Sequence, residues 1–314
     1  MAGSAPAWAV PLVPAVLVGY AAAAVAGDAV LAARSAGRRV TLAVLAAPLA
    51  EVPRLLTEQR RTTLAADRTL WRLGPLAVPA AGVLAAVVVP FGNVVVSRMS
   101  VGVVWFNAME VLTWAAIWMA GWGPNSVLSL VGGYRLVAQG LAYELPLMLA
   151  LISAAVGARS LSPVSVAAAQ GGHLWFAVWM PAAFLVYLAS VLAFSFLGPF
   201  GYPAAGDLAG GVAAELSGPD RLVLRAGRWL LLAAGAGMAG PLFLGGGAGP
   251  LLPAWAWSAV KTLAVLAALV WARRRVPAIR ADRYAEVAWV IVIPLMVAQV
   301  LVASAVVLAL GGPP

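Results

Sequence analysis

Long apolar runs repeat along almost the whole chain, each closed by a short polar stretch rich in glycine, proline or arginine. The first covers residues 7–33; others follow at 71–91, 101–121, 133–157, 171–196, 222–245, 252–272 and 287–311. Each has about 20 residues or more, enough for a helix to cross a hydrocarbon layer of about 30 Å. One segment departs from the pattern. Between Arg34 and Arg72, Leu42, Leu45, Leu49, Val52, Leu55 and Leu56 recur at helical spacing, with Glu51, Arg54 and Glu58 among them. This spacing predicts an amphipathic helix over 41–58, lying on the membrane surface and kinked at Pro48 and Pro53. The short alternating segments of a membrane β-barrel are missing from the sequence. The chain therefore reads as one all-α polytopic membrane domain, 1–314, with eight transmembrane helices and one cytoplasmic amphipathic helix. No internal repeat supports an inverted-repeat transporter. The first run lacks the basic start of a secretory signal, so it is expected to be retained as a span.

Composition narrows this reading. Hydrophobic residues make up 63% of the chain and charged ones 10%, with a mean hydropathy of +0.97. A soluble domain carries about a quarter charged residues and is excluded. The chain has no cysteine and one histidine, His173, read as an ordinary residue at the membrane interface. Iron–sulfur clusters, haem and copper sites need thiolates or histidine sets, so no metal, Fe–S or haem centre is expected in this chain. Any electron transfer it serves runs in another subunit. The net charge is +9, which in a soluble protein would suggest nucleic acid. Here its distribution gives a different reason. The connections after the first, third, fifth and seventh runs hold 17 basic residues, and the others hold Arg98 and Arg159. By the positive-inside rule the odd-numbered connections are cytoplasmic and both termini face outside. Heavy use of Ala, Gly, Arg, Pro and Val suits a GC-rich bacterial genome and hence a multi-pass protein of the bacterial plasma membrane.

Charged groups inside the runs are costly, by about 2.5 kcal/mol or more on insertion scales, and point to work. Glu110 and Glu144 each fall about 16–18 Å from the cytoplasmic ends of neighbouring runs, near the midplane. Asn107, Thr113 and Trp114 lie one turn from Glu110 and are its expected donors. Pro146 frees the carbonyl of Ala142 beside Glu144. Lys261, the single lysine, stands within the seventh run as a proton relay or counter-ion to a glutamate. Arg135 and Gln139 share a helix face and are expected to line a cavity open to the cytoplasm. The glycine-rich stretch GDLAGGVAAELSG follows no strand, so it is no nucleotide loop.

The stretch AGWGPNSVLSLVGGYRLVAQGLAYELP, from Ala120 to Pro146, carries the most specific pattern. With Ala66–Arg68, Pro199–Phe200, the segment ending at Gly218, Lys261–Thr262, Trp271–Asp282 and Trp289, it resembles the H subunit of proton-pumping NADH:quinone oxidoreductase (complex I) and its relatives in membrane-bound hydrogenases. The likeness runs from about residue 41 to 303. It implies eight spans with an outside N-terminus, partner membrane and peripheral subunits, a share in a quinone chamber, and the start of a proton path. It carries over Glu144 and Lys261 to that path, where Glu110 joins them by its depth. Arg135, Gln139, Asp207, Glu215, Arg273 and Asp282 fall to the cytoplasmic cavity and quinone region. Departures are as informative. The family's Glu-Arg-Lys at the end of span one is replaced by Gly27, Asp28 and Ala29, and the acidic repeat after Pro199–Phe200 is reduced to Asp207 and Glu215. A quinone is the one organic cofactor the resemblance admits, and these losses predict that it is held poorly. Two further readings share this fold: a membrane component of a hydrogenase-type energy-converting complex, and a non-catalytic anchor or assembly component.

Overall fold

A computed structural model describes residues 3–4, 10–206 and 210–313. Twelve α-helices are numbered in chain order: α1 Leu12–Ser35, α2 Leu42–Thr57, α3 Arg68–Ala86, α4 Gly102–Trp122, α5 Val127–Ala158, α6 Pro163–Ala169, α7 Phe176–Trp179, α8 Pro181–Phe194, α9 Gly218–Phe243, α10 Ala254–Arg275, α11 Ala281–Val287 and α12 Ile293–Leu310. A π-helical turn, Ala288–Val292, joins the last two into one rod. Pro294 lacks an N–H and cannot continue the regular ladder there, which suits a wider turn just before it. Gly3–Ser4 pairs in parallel with Val94–Val95.

Among the described residues, seven helices are long and apolar enough to cross a membrane. The run at 171–196 differs from the expected single long helix. It breaks into α7 and α8 at Met180, where Pro181 starts a new helix. The 14 residues of α8 reach only about 21 Å. Gln170 holds the bend before it: Nε2 donates to the Pro241 carbonyl at 2.9 Å, and Oε1 accepts from the Phe176 and Gly245 amides at 3.1 and 3.0 Å.

Helix α3 packs against α4 and α9, α5 against α4, α8 and α12, and α1 against α9 and α10. Small residues permit the close approaches. A Cβ on Gly74 would lie 2.5 Å from the Ala120 amide nitrogen, so α3 and α4 meet backbone to backbone. Asp67 starts α3 by accepting from the Thr69 and Leu70 amides at 3.0 and 3.1 Å.

On α2, Leu55 is buried while Leu42 and Leu49 are exposed, which leaves an apolar edge for lipid or a neighbour. Its charged side docks on α9: Glu51 accepts from Arg225 at 2.7 Å and from Arg54 at 2.8 Å. The Arg225 hydrogen bond, then that of Arg54, holds the Glu51 carboxyl below its ordinary value of 4.5. A depressed carboxyl contributes stability that is present above its ordinary pKa and lost as pH falls through the folded one. We expect amide exchange over residues 42–57 to accelerate below about pH 4.5, and Glu51→Gln to reproduce that acceleration at pH 7. An unchanged exchange profile in the variant would show that α2 is held by its leucines alone.

Candidate functional site: a carboxyl pair between α4 and α5

The turn joining α4 to α5 places the site. Asn125 adopts a left-handed conformation, with φ of 50°. Its side-chain amide donates to the Leu64 carbonyl at 3.3 Å, and Thr63 donates to the Pro124 carbonyl. Ser126 Oγ donates to Glu215 Oε1 at 2.7 Å, and Ser129 Oγ donates to the Gly121 carbonyl at 3.0 Å. Each polar residue of this stretch thus fixes a corner where two loops and two helices meet. Helix α5 then runs back along α4 and brings Tyr143 and Glu144 alongside Glu110 and Asn107.

Glu110 is 1% exposed. The Tyr143 hydroxyl donates to its Oε1 at 2.5 Å and accepts from Trp114 Nε1 at 2.9 Å. Gly140 makes this possible, because the Trp114 ring fills the space a Cβ would occupy there. Asn107 Nδ2 donates to Glu144 Oε1 at 2.8 Å, and the Glu144 carboxyl acts directly on that of Glu110. The donors to Glu110 thus differ from those expected. Trp114 reaches Glu110 only through Tyr143, Asn107 serves Glu144, and Thr113 Oγ1 is buried with no partner. One-turn spacing identifies the neighbours within α4 but not the side chain that α5 inserts between them.

Four buried polar atoms surround the pair without a hydrogen-bond partner: Asn107 Oδ1, Glu110 Oε2, Thr113 Oγ1 and Glu144 Oε2. A folded protein rarely leaves such a group unpaired, and the two carboxyls stand within hydrogen-bond reach of each other, so a proton between them would satisfy both free oxygens. From α8, Tyr187 lies within electrostatic range of Glu110, and its hydroxyl donates to the Gly235 carbonyl of α9 at 2.7 Å. Tyr143 lies within the most specific sequence pattern, yet nothing local assigns it a role. Tyr187, an aromatic in an apolar run, gives no signal in the sequence.

The other sequence candidates lie elsewhere. Arg135 and Gln139 meet different partners: Arg135 donates to the Gly210 carbonyl, and its guanidinium lies 5.8 Å from the centre of the Tyr202 ring. Gln139, 2% exposed, donates to the Ala193 carbonyl of α8 at 3.0 Å. Lys261 meets no carboxylate. Its ammonium donates to the Leu244, Gly246 and Ala248 carbonyls at 2.6, 2.9 and 2.6 Å and sits 4.3 Å from the centre of the Trp175 ring. Those carbonyls end α9 and begin its exit, so the lysine caps that terminus as a cation. Asp282 pairs with Arg280 at 3.0 Å in the open. Arg273 and Arg274 both pair with Asp28, Arg274 through two contacts of 2.6 Å. Asp28, read as the remnant of a lost motif, is thus the link between α1 and α10. Asp207 lies outside the described residues. Among the described residues, no three His, Asp or Glu side chains converge as a metal site would need.

Comparison with known proteins decides the family. A family model described as NADH dehydrogenase matches residues 8–304. The chain belongs to that family, in its H-subunit branch. It is similar to an NADH-quinone oxidoreductase H subunit of Geobacter sulfurreducens, 34% identical over 266 residues that cover 81% of this chain and 80% of the relative. The corresponding protein of Syntrophobacter fumaroxidans is 32% identical over 275 residues, with 84% and 83% covered. That of Geobacillus kaustophilus is 31% identical over 264 residues, with 82% and 79% covered.

In this family member, truncating Lys261 strands three carbonyls. Lys261→Met should destabilise the purified protein by about 1–3 kcal/mol, read as a lower thermal midpoint. An unchanged midpoint would show that water replaces the ammonium there.

Proposed function

We propose that this chain is a membrane subunit of a proton-pumping NADH-quinone oxidoreductase of the bacterial plasma membrane, working beside other membrane subunits and a peripheral arm. The carrying observation is the Glu110–Glu144 pair with its unpartnered oxygens. Two charges at such proximity in a low dielectric repel strongly, so the pair is suited to hold a proton between them and hand it on. Tyr143 and Asn107 orient the two carboxyls; Tyr187 continues the path toward α9. Lys261 stands apart and steadies the outer end of α9. Arg135 and Glu215 tie the start of α5 to the fifth loop, the side on which quinone chemistry would act, and Arg273 ties α10 to α1 through Asp28. The chain carries few acids for such a chamber and serves there as a wall.

Glu144→Gln keeps the hydrogen bond from Asn107 but cannot lose a proton. We expect assembly to survive and proton translocation per electron to fall strongly in membrane vesicles, with Glu110→Gln less severe. Pumping at the normal ratio in Glu144→Gln would reduce the residue to a structural role.

The proposed topology has eight crossings, with α7 and α8 together making the fifth and both termini outside. The support is the arginine distribution together with the sequence order of the long helices. Single cysteines introduced into this cysteine-free chain read it directly: positions 38, 60, 225 and 274 should label from the cytoplasm, and 98 and 159 from outside. Labelling of position 98 from the cytoplasm alone would overturn the arrangement.

A further inference from the structure

A cavity of about 330 Å³ lies between the fifth loop and the first turns of α9, lined by none of the residues of the carboxyl pair. Its loop wall is made of small residues: Gly201, Ala204, Ala205, Gly206 and Ala213. Three arginines from one stripe of α9, Arg221, Arg225 and Arg228, supply the opposite wall. Only Arg225 meets a carboxylate, that of Glu51. Among the described residues, no acid stands within ion-pair distance of Arg221 or Arg228. Arg228 donates to the Phe196 carbonyl. The Nε of Arg221 and that of Arg228 are both buried without any partner. Two buried guanidinium donors on side chains that line a cavity are costly unless something accepts from them.

The chemistry of the occupant follows from this wall. A planar guanidinium fork matches phosphate or carboxylate oxygens, and two such forks suit a phosphate better than a neutral carbonyl headgroup. Depth separates the sources. The arginines are the fourth, eighth and eleventh residues of α9, about 5–15 Å from its cytoplasmic end, whereas the 26-residue helix extends about 39 Å. They therefore occupy the headgroup level of the inner leaflet, where basic pockets between membrane helices take anionic lipid.

We propose that this cavity binds the phosphate of an anionic phospholipid of the inner leaflet through Arg221 and Arg228, with the small loop residues leaving room for the headgroup. The leaflet rests on the topology proposed above, which cysteine labelling reads separately. Lipid binding itself is measured by mass, without reference to pumping.

The test uses the assembled complex in detergent, with phosphatidylglycerol or phosphatidylcholine added and retention read by native mass spectrometry. Phosphatidylglycerol should be retained about tenfold or more over phosphatidylcholine. The preference should vanish in Arg221→Gln/Arg228→Gln. In case that variant assembles badly, Ala213→Glu keeps every arginine and supplies the cavity with its own carboxylate; it should assemble and also lose the preference. Equal retention of the two lipids, or a preference that survives in Ala213→Glu, would overturn the site. Displacement of the lipid by millimolar inorganic phosphate would assign the cavity to a free anion and overturn the lipid source. Recovery of Arg221 cross-linked to a carboxylate of a neighbouring protein of the complex, with no lipid preference, would overturn it in favour of protein docking.

Discussion

Hydrocarbon offers a polar side chain no partner, so each polar group within a span must find one inside the protein or be kept unpaired for a reason. This constraint sorts the polar residues of the chain into two kinds. Lys261 is surrounded by three carbonyls and an aromatic face, Gln170 is engaged at both ends of its amide, and Asp28 is neutralised by two arginines. Each of these joins elements that are remote in sequence and has little left to exchange. Glu110 and Glu144 are different: one oxygen of each is held and the other is not. A group that is fully satisfied holds structure, whereas one held on a single side is oriented but still reactive.

Much of this was legible because membrane helices announce themselves through length, and because a carboxylate in an apolar run is rare enough to be informative. The failures have physical causes. The fifth run looks continuous because its residues stay apolar across Pro181, yet the missing N–H there divides it and shortens the helix. Helix α5 starts at Val127, six residues before the apolar run at 133–157, because the helix continues back through Gly132. Gly132 there admits the backbone of Gly211 and Val212. Asp28 and its arginines are 246 positions apart for Arg274, and no local pattern connects them. Tyr143 escapes because helical spacing describes one helix at a time, while the donor to Glu110 comes from the facing one.

The fifth loop shows how losing charge on one side changes the meaning of charge on the other. The described residues of the loop wall are alanine and glycine and give the arginine stripe of α9 no ion pair. From α2, Glu51 pairs with Arg225, and Glu51 and Glu58 act on Arg221 at longer range. Arg273 and Arg274 are drawn away by Asp28, which sits where the resemblance would place a Glu-Arg-Lys motif. The corner therefore keeps a framework of fixed ion pairs around a cavity whose remaining charge is positive, a poor match for a neutral headgroup and a good one for an anion.

The distance between that corner and the carboxyl pair is covered by one element. Helix α5 is anchored to the fifth loop at its start, through the Ser126–Glu215 hydrogen bond and the contact of Arg135 with Gly210, and it carries Glu144 further along. Arg135 and Glu144 are nine residues apart, about 13 Å along the axis. A rigid helix passes displacement over that length, but coupling requires an element with two arrangements, not mere continuity. Beside Glu144 the backbone ladder of α5 is interrupted. Pro146 removes the amide that would bond the Ala142 carbonyl, and Gly140 lets Trp114 lie flat on the turn below. The stretch from Gly140 to Pro146 thus lacks one bond of the backbone ladder, and it bears Tyr143 and Glu144. A small change in that turn would alter which oxygen of Glu110 is held by Tyr143, and with it where a shared proton can go.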